Sequence, residues 1–558
     1  MSPRMANRRI RLLLLVFILV FAGALGRAMW LQGVKAQSLG RLASKQYREV
    51  VKIPARRGTL YDRTGSPLAL GEQATTVYGD PKQVRDPQVV ATAAGHALGL
   101  DPDRIYRELT DRSKGFVYVE RQADADRAVR LERRKLKGLG FYPEERRAYP
   151  QRQVASSVLG YAGVDNKGLA GLEVQLDQVL SGHPGERTIV KDPLGRAIDV
   201  ISSRPERDGR DVFLTIDHTI QANAESVLES AVAKWHAKDA SAIVMDPHTG
   251  AVLAMANAPG FDANRYPSVG QERQRNRAVT DTYEPGSTFK VVTVGGVLSE
   301  GLVSPSTSFT LPYEIHVADR VIHDAEPRGT VVYSVADILA HSSNVGAITL
   351  AEMLGKDRLL DWIGRFGFGR KTGSGFPGES PGIVLPGDQW SGSTIGNVPI
   401  GHGIAVTPVQ MAAAYAAVAN RGIAVRLHLV DHVQGRRRPR FERHRVISSY
   451  VARELVQMLR DVVIEGTGTL ATVPGYEVAG KTGTAAKPDP WGGYSKSRYV
   501  ASFVGMVPAT RPRLVILVTV DEPQGAIWGG VVAAPVFQEI AKFDLQYLEV
   551  PPDAPRSG

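Results

Sequence analysis

The sequence predicts an α+β fold in which helices surround an antiparallel β-sheet. Apolar runs flank a Pro-His-Thr-Gly turn in "SAIVMDPHTGAVLAMAN", as is typical of a β-hairpin. Three more strand candidates follow much later in the chain, in "YEVAGKTGTA", "RYVASFVGMVPA" and "RLVILVTVDEP". The chain between these two groups is mostly helical in pattern. We therefore expect one sheet whose first and last strands come from opposite ends of the same region.

The size and composition of the chain indicate a multidomain globular protein. Its 558 residues are 43% apolar, which is enough to give more than one domain a core. The 68 basic and 57 acidic residues leave a net charge of +11, a mild excess for this length. The densest basic run, "GRRRPRFERHR" at residues 435–445, contains proline and is predicted to be a solvated loop. No nucleic-acid-binding motif accompanies it, so we expect no nucleic-acid partner.

The sequence predicts no metal and no other cofactor. It contains no cysteine, which excludes disulfides, thiolate metal sites and cysteine catalysis. The glycine patterns of dinucleotide and phosphate-binding loops are missing as well. The best-placed histidines, His428 and His432, fall in a strand-like stretch, where a spacing of four residues does not bring two side chains together.

The first residues predict a membrane anchor. Residues 1–11 contain four arginines and no acidic residue, and the chain is then uncharged from Leu12 to Gly26. The apolar stretch extends to residue 31, and about twenty residues are the length of a membrane-spanning helix. We predict a cytoplasmic tail (1–11), an uncleaved transmembrane signal anchor (12–31) and export of the remainder of the chain, because positive charge stays cytoplasmic. A cleaved signal peptide ending near Ala22–Ala24 is the alternative, which the continuing apolar stretch disfavours.

Two regions come after the anchor. Residues 32–210 have a mixed pattern of helices, strands and turns without a nucleophile that stands out, and they are predicted to form an α+β pedestal. Residues 211–548 are predicted to contain the sheet, an Ala-rich helix in "TPVQMAAAYAAVANRG" and a closing helix in "APVFQEIAKFDLQYL". Residues 549–558 are predicted to be a flexible tail.

The stretch "EPGSTFKVVTVGG" places Lys290 three residues after Ser287, a spacing that no other serine in the chain has. Ser287 is predicted to lie at a helix N-terminus, where a serine commonly acts only as the N-cap. On the first turn of a helix, however, positions three apart share a face. A serine becomes a good nucleophile when a base takes its proton, and a lysine is such a base when burial lowers its pKa. Because Lys290 is surrounded by apolar residues, we predict a nucleophile and its base.

Two further patterns supply partners for this pair. "HSSN" places Ser342 and Asn344 just ahead of a predicted helix, and alone this would indicate another helix cap. Lys-Thr-Gly occurs twice, at 371–373 in a Gly- and Pro-rich loop and at 481–483 in a strand candidate. We choose the second copy, because a sheet edge holds its side chains rigidly and a glycine there allows a substrate backbone to approach closely. The lysine and the neighbouring hydroxyls of this copy can bind a substrate carboxylate.

These motifs resemble those of a known family. "STFK", "SSN" and "KTGT", in this order and separated by roughly fifty and then nearly one hundred and forty residues, are similar to the three active-site motifs of penicillin-binding proteins and serine β-lactamases. "RRGTLYDRTG", "GLAGLE" and "KDPLGRAI" resemble pedestal motifs of class B penicillin-binding proteins, and "GHGIAVTPVQMAAAYAAVANRG" and "SFVGMVPA" resemble their transpeptidase domain. The length, the single anchor, "RNRAVTDTYEPGSTFK" and the short tail are most similar to the cell-division members.

The resemblance implies a penicillin-binding transpeptidase domain at residues 211–548, in which the sheet and its helices are joined by a helical subdomain, on an elongated, non-catalytic, dimerisation-like pedestal at 32–210. It implies a serine D,D-transpeptidase that cross-links peptidoglycan stem peptides during septum formation through an acyl-enzyme and is inhibited covalently by β-lactams. The implied catalytic residues are Ser287, Lys290, Ser342 and Asn344, the implied substrate-binding residues are Lys481, Thr482, Gly483 and Thr484, and the implied oxyanion hole consists of the backbone N–H groups of Ser287 and Thr484.

The resemblance also implies a location and partners. The protein is expected in the bacterial inner (plasma) membrane as a single-pass protein with a periplasmic catalytic domain. Its expected partners are peptidoglycan stem peptides, β-lactams, a glycosyltransferase that polymerises lipid-linked precursor and other division proteins. The alternatives are an elongation-type class B transpeptidase and a catalytically idle division scaffold. A β-lactamase is disfavoured, because it needs a carboxylate that activates water and none can be assigned to that role. One departure is Ala486, where family members often have a basic residue, with Lys487 next to it.

Overall fold

The structure is a computed structural model that describes residues 3–33, 35, 48–191 and 197–554. Residues 1–2, residues 34 and 36–47 at the start of the predicted pedestal, the last four residues of the predicted tail and the middle of the "KDPLGRAI" motif (192–196) lie outside this description. The longer helices are, in chain order, α1 (Pro3–Gly33), α2 (Pro87–Leu98), α3 (Pro102–Thr110), α4 (Ala125–Glu132), α5 (His218–Trp235), α6 (Lys290–Ser299), α7 (Asn344–Leu354), α8 (Lys356–Arg365), α9 (Pro408–Ala419), α10 (Ser449–Ile464) and α11 (Ala534–Tyr547).

The strands range from two to 14 residues in length and are spread along the described chain. They are β1 (Arg48–Ile53), β2 (Leu60–Tyr61), β3 (Pro67–Gly79), β4 (Val117–Asp124), β5 (Leu139–Ala148), β6 (Gly185–Lys191), β7 (Ala197–Arg204), β8 (Val212–Leu214), β9 (Asp239–Met245), β10 (Val252–Ala258), β11 (Ser308–Leu311), β12 (Glu314–Val317), β13 (Arg320–His323), β14 (Val331–Ser334), β15 (Ile423–Val425), β16 (Val430–Val433), β17 (Arg443–Arg445), β18 (Ala479–Pro488), β19 (Tyr494–Val507) and β20 (Leu514–Asp521).

The chain divides into two compact units, of which the smaller consists of Met1–Arg56 and Gly182–Gly209. It contains α1 and a three-stranded sheet in the order β1-β6-β7, in which both pairs are antiparallel. Within the described residues, α1 is the one helix long and apolar enough to cross a membrane: an 18-residue window inside Asn7–Gly33 has a mean hydropathy of 2.4. The predicted span, residues 12–31, lies inside it, which is compatible with a single-pass membrane anchor.

The larger unit, Arg57–Ser181 and Arg210–Gly558, begins with a six-stranded sheet. Its order is β16-β8-β2-β3-β4, and β5 pairs with β3. Strand β2 lies parallel to β8, so that Leu60 pairs with Val212. This sheet therefore joins strands from both sides of the predicted boundary between residues 210 and 211, and that boundary stays a prediction.

Two of the motifs that resemble the class B pedestal meet in a buried ion-pair cluster. Glu173, from "GLAGLE", is fully buried and accepts hydrogen bonds from Arg57 Nε at 2.7 Å and Arg147 Nε at 2.6 Å. Arg57, from "RRGTLYDRTG", also donates to Asp177 Oδ1 at 2.7 Å. Buried charges persist only when they are paired and hydrogen-bonded, so this cluster ties the two motifs together.

The second sheet of the larger unit is the predicted one. Its order is β10-β9-β20-β19-β18, and every pair is antiparallel, with β9 and β10 forming the predicted hairpin. Side chains alternate between its faces: Ala242 and Val244 belong to one core with α5 and α11, whereas Ile243 and Met245 belong to another with α9. The expectation of strands from opposite ends of the region is confirmed, and β18 lies at the edge of the sheet.

The insertion between β10 and β18 is helical, as predicted, and carries α6 to α10. It also contains short antiparallel pairs, β11 with β14, β12 with β13 and β15 with β17, which are too short to show a clear alternation in the sequence. At the C-terminus, Asp553 Oδ1 accepts a hydrogen bond from the backbone N–H of Glu477 at 2.8 Å. The described part of the predicted tail is therefore attached to the domain.

Candidate active site

Ser287 lies in a tight turn that leads into α6. The turn, Gly286–Phe289, is a 3-10 helix, and the Thr288 hydroxyl donates to the carbonyl oxygen of Pro285 at 2.8 Å. The buried phenol of Tyr415 donates to the carbonyl oxygen of Thr288 at 2.9 Å and ties the turn to α9. Among the described residues, no hydrogen bond is made by Ser287 Oγ, so Ser287 does not act as a helix cap. Its hydroxyl is half-buried and free to react.

Lys290 is fully buried at the start of α6, one turn after Ser287. Its Nζ donates to the carbonyl oxygen of Ser342 at 2.5 Å and to Asn344 Oδ1 at 2.8 Å, and Ser342 Oγ lies 3.2 Å away. Burial lowers the pKa of Lys290 to about 7, although the charge of Asp324 opposes this shift. At neutral pH a large fraction of Lys290 is therefore an amine that can accept a proton.

The loop that contacts Lys290 precedes α7. Asn344 begins this helix and Ser343 is its N-cap, whose Oγ accepts a hydrogen bond from Gly346 N at 3.0 Å. Ser342 has a φ of +59°, a left-handed conformation that is uncommon for a serine. Sequence analysis placed Ser342 and Asn344 just ahead of a helix, and the structure brings both to Lys290.

Strand β18 supplies the third side of the site. Lys481 is fully buried, and its Nζ lies 3.3 Å from Thr482 Oγ1, which in turn is 2.7 Å from Thr467 Oγ1. Burial and, secondarily, the charge of Lys290 hold the pKa of Lys481 well below its usual value. Two buried lysines that repel each other create a site that favours an anion.

The edge of β18 lies directly against the turn that carries Ser287. A Cβ built at Gly483 would stand 2.8 Å from the Pro285 carbonyl oxygen, and one built at Gly286 would stand 3.0 Å from that of Thr484. Only glycine at position 483 permits this approach of the two backbones. Thr484 Oγ1 accepts a hydrogen bond from Gly529 N at 3.0 Å, which orients this side chain.

The first Lys-Thr-Gly copy does not enter this site. Its Thr372 N–H and hydroxyl both donate to Glu379 at 2.6 Å, and Ser374 Oγ donates to the same carboxylate at 2.8 Å. Lys371 is exposed to solvent. Glu379 thus holds this copy as a closed loop, whereas the copy chosen from the sequence adjoins Pro285.

Sequence analysis missed a second set of groups beside Ser287. Glu284, three residues before it, has one carboxylate oxygen 2.7 Å from His402 Nδ1, and the other accepts from Gly403 N at 3.0 Å and the Tyr494 hydroxyl at 3.1 Å. Burial and, to a smaller extent, the charge of Glu284 raise the pKa of Tyr494. These contacts fasten the β18–β19 hairpin to the segment that leads to the nucleophile. Their partners are more than 100 residues apart, and no local pattern marks them.

Sequence comparison identifies the family. Residues 240–542 match the penicillin binding protein transpeptidase domain, and residues 52–214 match the penicillin-binding protein dimerisation domain. The peptidoglycan D,D-transpeptidase FtsI of Escherichia coli K12 is 35% identical over 563 residues, which cover 99% of this chain and 93% of FtsI. The chain belongs to the class B penicillin-binding proteins.

Other relatives and solved structures agree with this class B assignment. PbpB of Mycolicibacterium smegmatis is 35% identical over 97% of this chain and 90% of its own. Penicillin-binding protein 3 from Mycobacterium tuberculosis, complexed with aztreonam, has a TM-score of 0.72 at 32% identity and covers 90% of this chain and 99% of its own. The peptidoglycan synthetase from Bifidobacterium adolescentis has a TM-score of 0.74 at 28% identity, with coverages of 92% and 98%. The predicted α+β penicillin-binding fold and the resemblance to cell-division members are confirmed.

Proposed function

We propose that this class B penicillin-binding protein is a serine D,D-transpeptidase that cross-links peptidoglycan stem peptides during septum formation. The observation that carries the proposal is Lys290, a buried amine with a pKa of about 7 that lies one helical turn from the free hydroxyl of Ser287. A relative named peptidoglycan D,D-transpeptidase FtsI, similar over almost the whole chain, supports the reaction and the division role. A related structure complexed with aztreonam supports binding of β-lactams.

In the first half-reaction, Ser287 Oγ attacks the carbonyl carbon between the last two D-alanines of a stem peptide. Lys290 Nζ takes the hydroxyl proton as the C–O bond forms. The carbonyl oxygen becomes negative and accepts hydrogen bonds from the N–H groups of Ser287 and Thr484, which lie on neighbouring backbones. As the C–N bond breaks, a proton passes from Lys290 through Ser342 Oγ, 3.2 Å from Nζ, to the leaving D-alanine.

In the second half-reaction, an amine of a neighbouring stem peptide attacks the acyl-enzyme. Its proton returns through the same groups to Ser287 Oγ, and the new amide bond is the cross-link. A β-lactam imitates the donor peptide, but its leaving nitrogen stays attached, so that Ser287 remains acylated.

The terminal carboxylate of the donor is assigned to Lys481, Thr482 and Thr484, with Gly483 leaving room for the substrate backbone. The Lys481 amine and the two hydroxyls can donate hydrogen bonds to a carboxylate. Lys487 does not substitute for the basic residue that is missing at Ala486, because its Nζ is bound to Asp521 at 2.8 Å and Glu522 at 2.7 Å. Asn344 is assigned to the donor's peptide amide, in addition to its contact with Lys290.

The proposed location is the bacterial inner (plasma) membrane, with residues 1–11 cytoplasmic, 12–31 spanning it and the catalytic domain periplasmic. The proposed boundaries are a pedestal at 32–210 and a transpeptidase domain at 211–548, followed by the tail. We assign to the pedestal the binding of a glycosyltransferase that polymerises lipid-linked precursor and of other division proteins. No cofactor takes part in this mechanism.

The experiment that tests the proposal is intact mass spectrometry of the full chain in detergent after incubation with aztreonam. Wild type is expected to gain the mass of one inhibitor, and Ser287→Ala none. Ser299→Ala, at the other end of α6, is the matched control, since the hydroxyl of Ser299 has no hydrogen-bond partner among the described residues. An unmodified wild-type protein would refute the acyl-enzyme and favour the idle scaffold. Enrichment of a fluorescent fusion along the side wall instead of the septum would favour the elongation role.

A further inference from the structure

Asp324 is a buried carboxylate under the loop that contacts Lys290. It follows β13 and is 6% exposed. Its two oxygens accept from Ser343 Oγ at 3.1 and 3.0 Å, and Oδ1 also accepts from Asn344 N at 2.5 Å and Val345 N at 3.0 Å. Asp324 thus binds three consecutive residues at the start of α7, one of which is Asn344 itself.

These bonds determine how the loop faces Lys290. With its N–H held by Asp324, Asn344 directs Oδ1 to Lys290 Nζ at 2.8 Å, while its Nδ2 donates to the His323 carbonyl oxygen at 3.0 Å. Ser342 lies between this anchor and the end of the short helix Val335–Ala340, and both maintain its left-handed φ. The Ser342 carbonyl oxygen therefore also points to Lys290 Nζ. An uncommon backbone conformation persists only where its surroundings hold it in place.

The charge of Asp324 acts on the same lysine. The charged groups around Lys290 are Lys481 on β18, which repels it, and Asp324, which attracts its proton and opposes the effect of burial. Arg328 pairs with Asp324, with Nε at 2.9 Å from Oδ2, and so reduces the net negative charge. The Nδ1 of His323 donates a hydrogen bond to the backbone carbonyl oxygen of Asp324 at 2.8 Å. The Asp324 carboxylate is therefore the anion in this set that counteracts the effect of burial on Lys290.

We propose that Asp324 is a positioning residue of the transpeptidase reaction, which holds Ser342 and Asn344 against Lys290 and, together with Arg328, determines the electrostatic environment of that lysine. The inference rests on the proposed role of Lys290 as the base. A carboxylate that only capped α7 would make the same bonds to Ser343 and Val345, but the protonation of Lys290 would not depend on it.

The test is the rate of acylation of the full chain in detergent by a fluorescent penicillin, measured between pH 5.5 and 9. The wild-type rate is expected to rise with pH and to level off above the Lys290 pKa of about 7, because only the neutral amine accepts the Ser287 proton. In Asp324→Asn the midpoint is expected to fall by about half a pH unit or more, since an anion that favours protonated Lys290 is lost, and the plateau rate is expected to fall about tenfold. In Arg328→Gln the midpoint is expected to rise, because the negative charge of Asp324 is less neutralised.

Asp337→Asn is the matched control. Asp337 forms the capping box of the short helix Val335–Ala340 with Ser334 and has no contact with Lys290, so its loss is expected to lower the melting temperature without moving the midpoint. If Asp324→Asn is acylated more slowly but its midpoint is unchanged, Asp324 acts only as a helix cap and the inference is overturned. If that variant does not fold, an unmoved midpoint in Arg328→Gln overturns it instead. A wild-type protein that is not acylated at all would refute the proposed function, a result distinct from an unmoved midpoint in acylated variants.

Discussion

The backbone of Gly401 lies against that of Gly286, the residue before Ser287. Gly286 N donates to Gly401 O at 3.2 Å, and a Cβ built at Gly401 would stand 2.1 Å from the Gly286 carbonyl oxygen. On its other side, Gly286 adjoins the Thr484 backbone on β18. The turn that presents Ser287 is therefore held between two backbones, and its position depends on the absence of a side chain at Gly401.

Replacement of Gly401 by alanine is expected to displace this turn. A methyl group at that place forces the Gly286 carbonyl to move, and misplacement of a nucleophile by about 1 Å reduces the rate by about 100-fold. We expect the rate of acylation by a fluorescent penicillin to fall to this extent. Gly301→Ala is the control for backbone strain. Gly301 has a φ of +67°, similar to the +81° of Gly401, but a Cβ at Gly301 would meet open space. Equal acylation rates in the two variants would contradict the close contact.

Replacement of the two Lys-Thr-Gly lysines distinguishes the copies. Lys481→Ala removes a buried amine from the proposed carboxylate site, and loss of a hydrogen bond to a charged group costs about 1.5–3 kcal/mol, which corresponds to a fall in acylation of roughly 10- to 150-fold. Lys371→Ala changes an exposed side chain in a loop held by Glu379 and is expected to leave acylation unchanged. Acylation rates measured at several inhibitor concentrations separate binding from chemistry. A loss in Lys371→Ala equal to that in Lys481→Ala would mean that the wrong copy was assigned.

Lys290 is expected to reduce the stability of the folded protein at neutral pH. Its folded pKa of about 7 lies below the value of 10.5 for an unperturbed lysine, so the unfolded chain binds more protons between these limits. The penalty is fully present below pH 7 and disappears as the pH rises towards 10.5. We expect Lys290→Met to raise the melting temperature at pH 7 and to abolish acylation, with the difference in melting temperature becoming smaller at pH 9.5. A difference that grows with pH would contradict a lowered pKa.

The sequence predicted the parts of the site that have a local signature. Ser287 and Lys290 are three residues apart on one helical turn, and the Lys481 motif lies in a strand of the expected sheet. Both signals depend on neighbours in the chain, which spacing and pattern can reveal. The choice between two Lys-Thr-Gly copies also rested on such a pattern, since only the second continues as a strand.

The residues that hold these groups in place could not be predicted in the same way. Asp324 reaches Asn344 across 20 residues, and Glu284 reaches Tyr494 across 210. Neither pair has a periodic pattern, because its members meet only when separate elements are assembled. The pairing of β2 with β8, which places Leu60 beside Val212, was missed for the same reason. Tertiary contacts of this kind leave no trace in a single sequence beyond the presence of a polar or a small residue.

The buried cluster at Glu173 is expected to contribute strongly to the stability of the larger unit. Glu173→Gln removes the charge that faces Arg57 and Arg147, whose side chains are 1% and 2% exposed, and breaking a buried pair costs about 3–5 kcal/mol. Glu72→Gln is the matched control, because Glu72 pairs with the neighbouring Arg146 at 3.0 Å with both side chains more than 40% exposed. An exposed pair contributes about 0–1 kcal/mol. Urea denaturation of the two variants is expected to show a large loss only for Glu173→Gln; similar losses would mean that the buried carboxylate is replaceable by a neutral amide that still accepts hydrogen bonds.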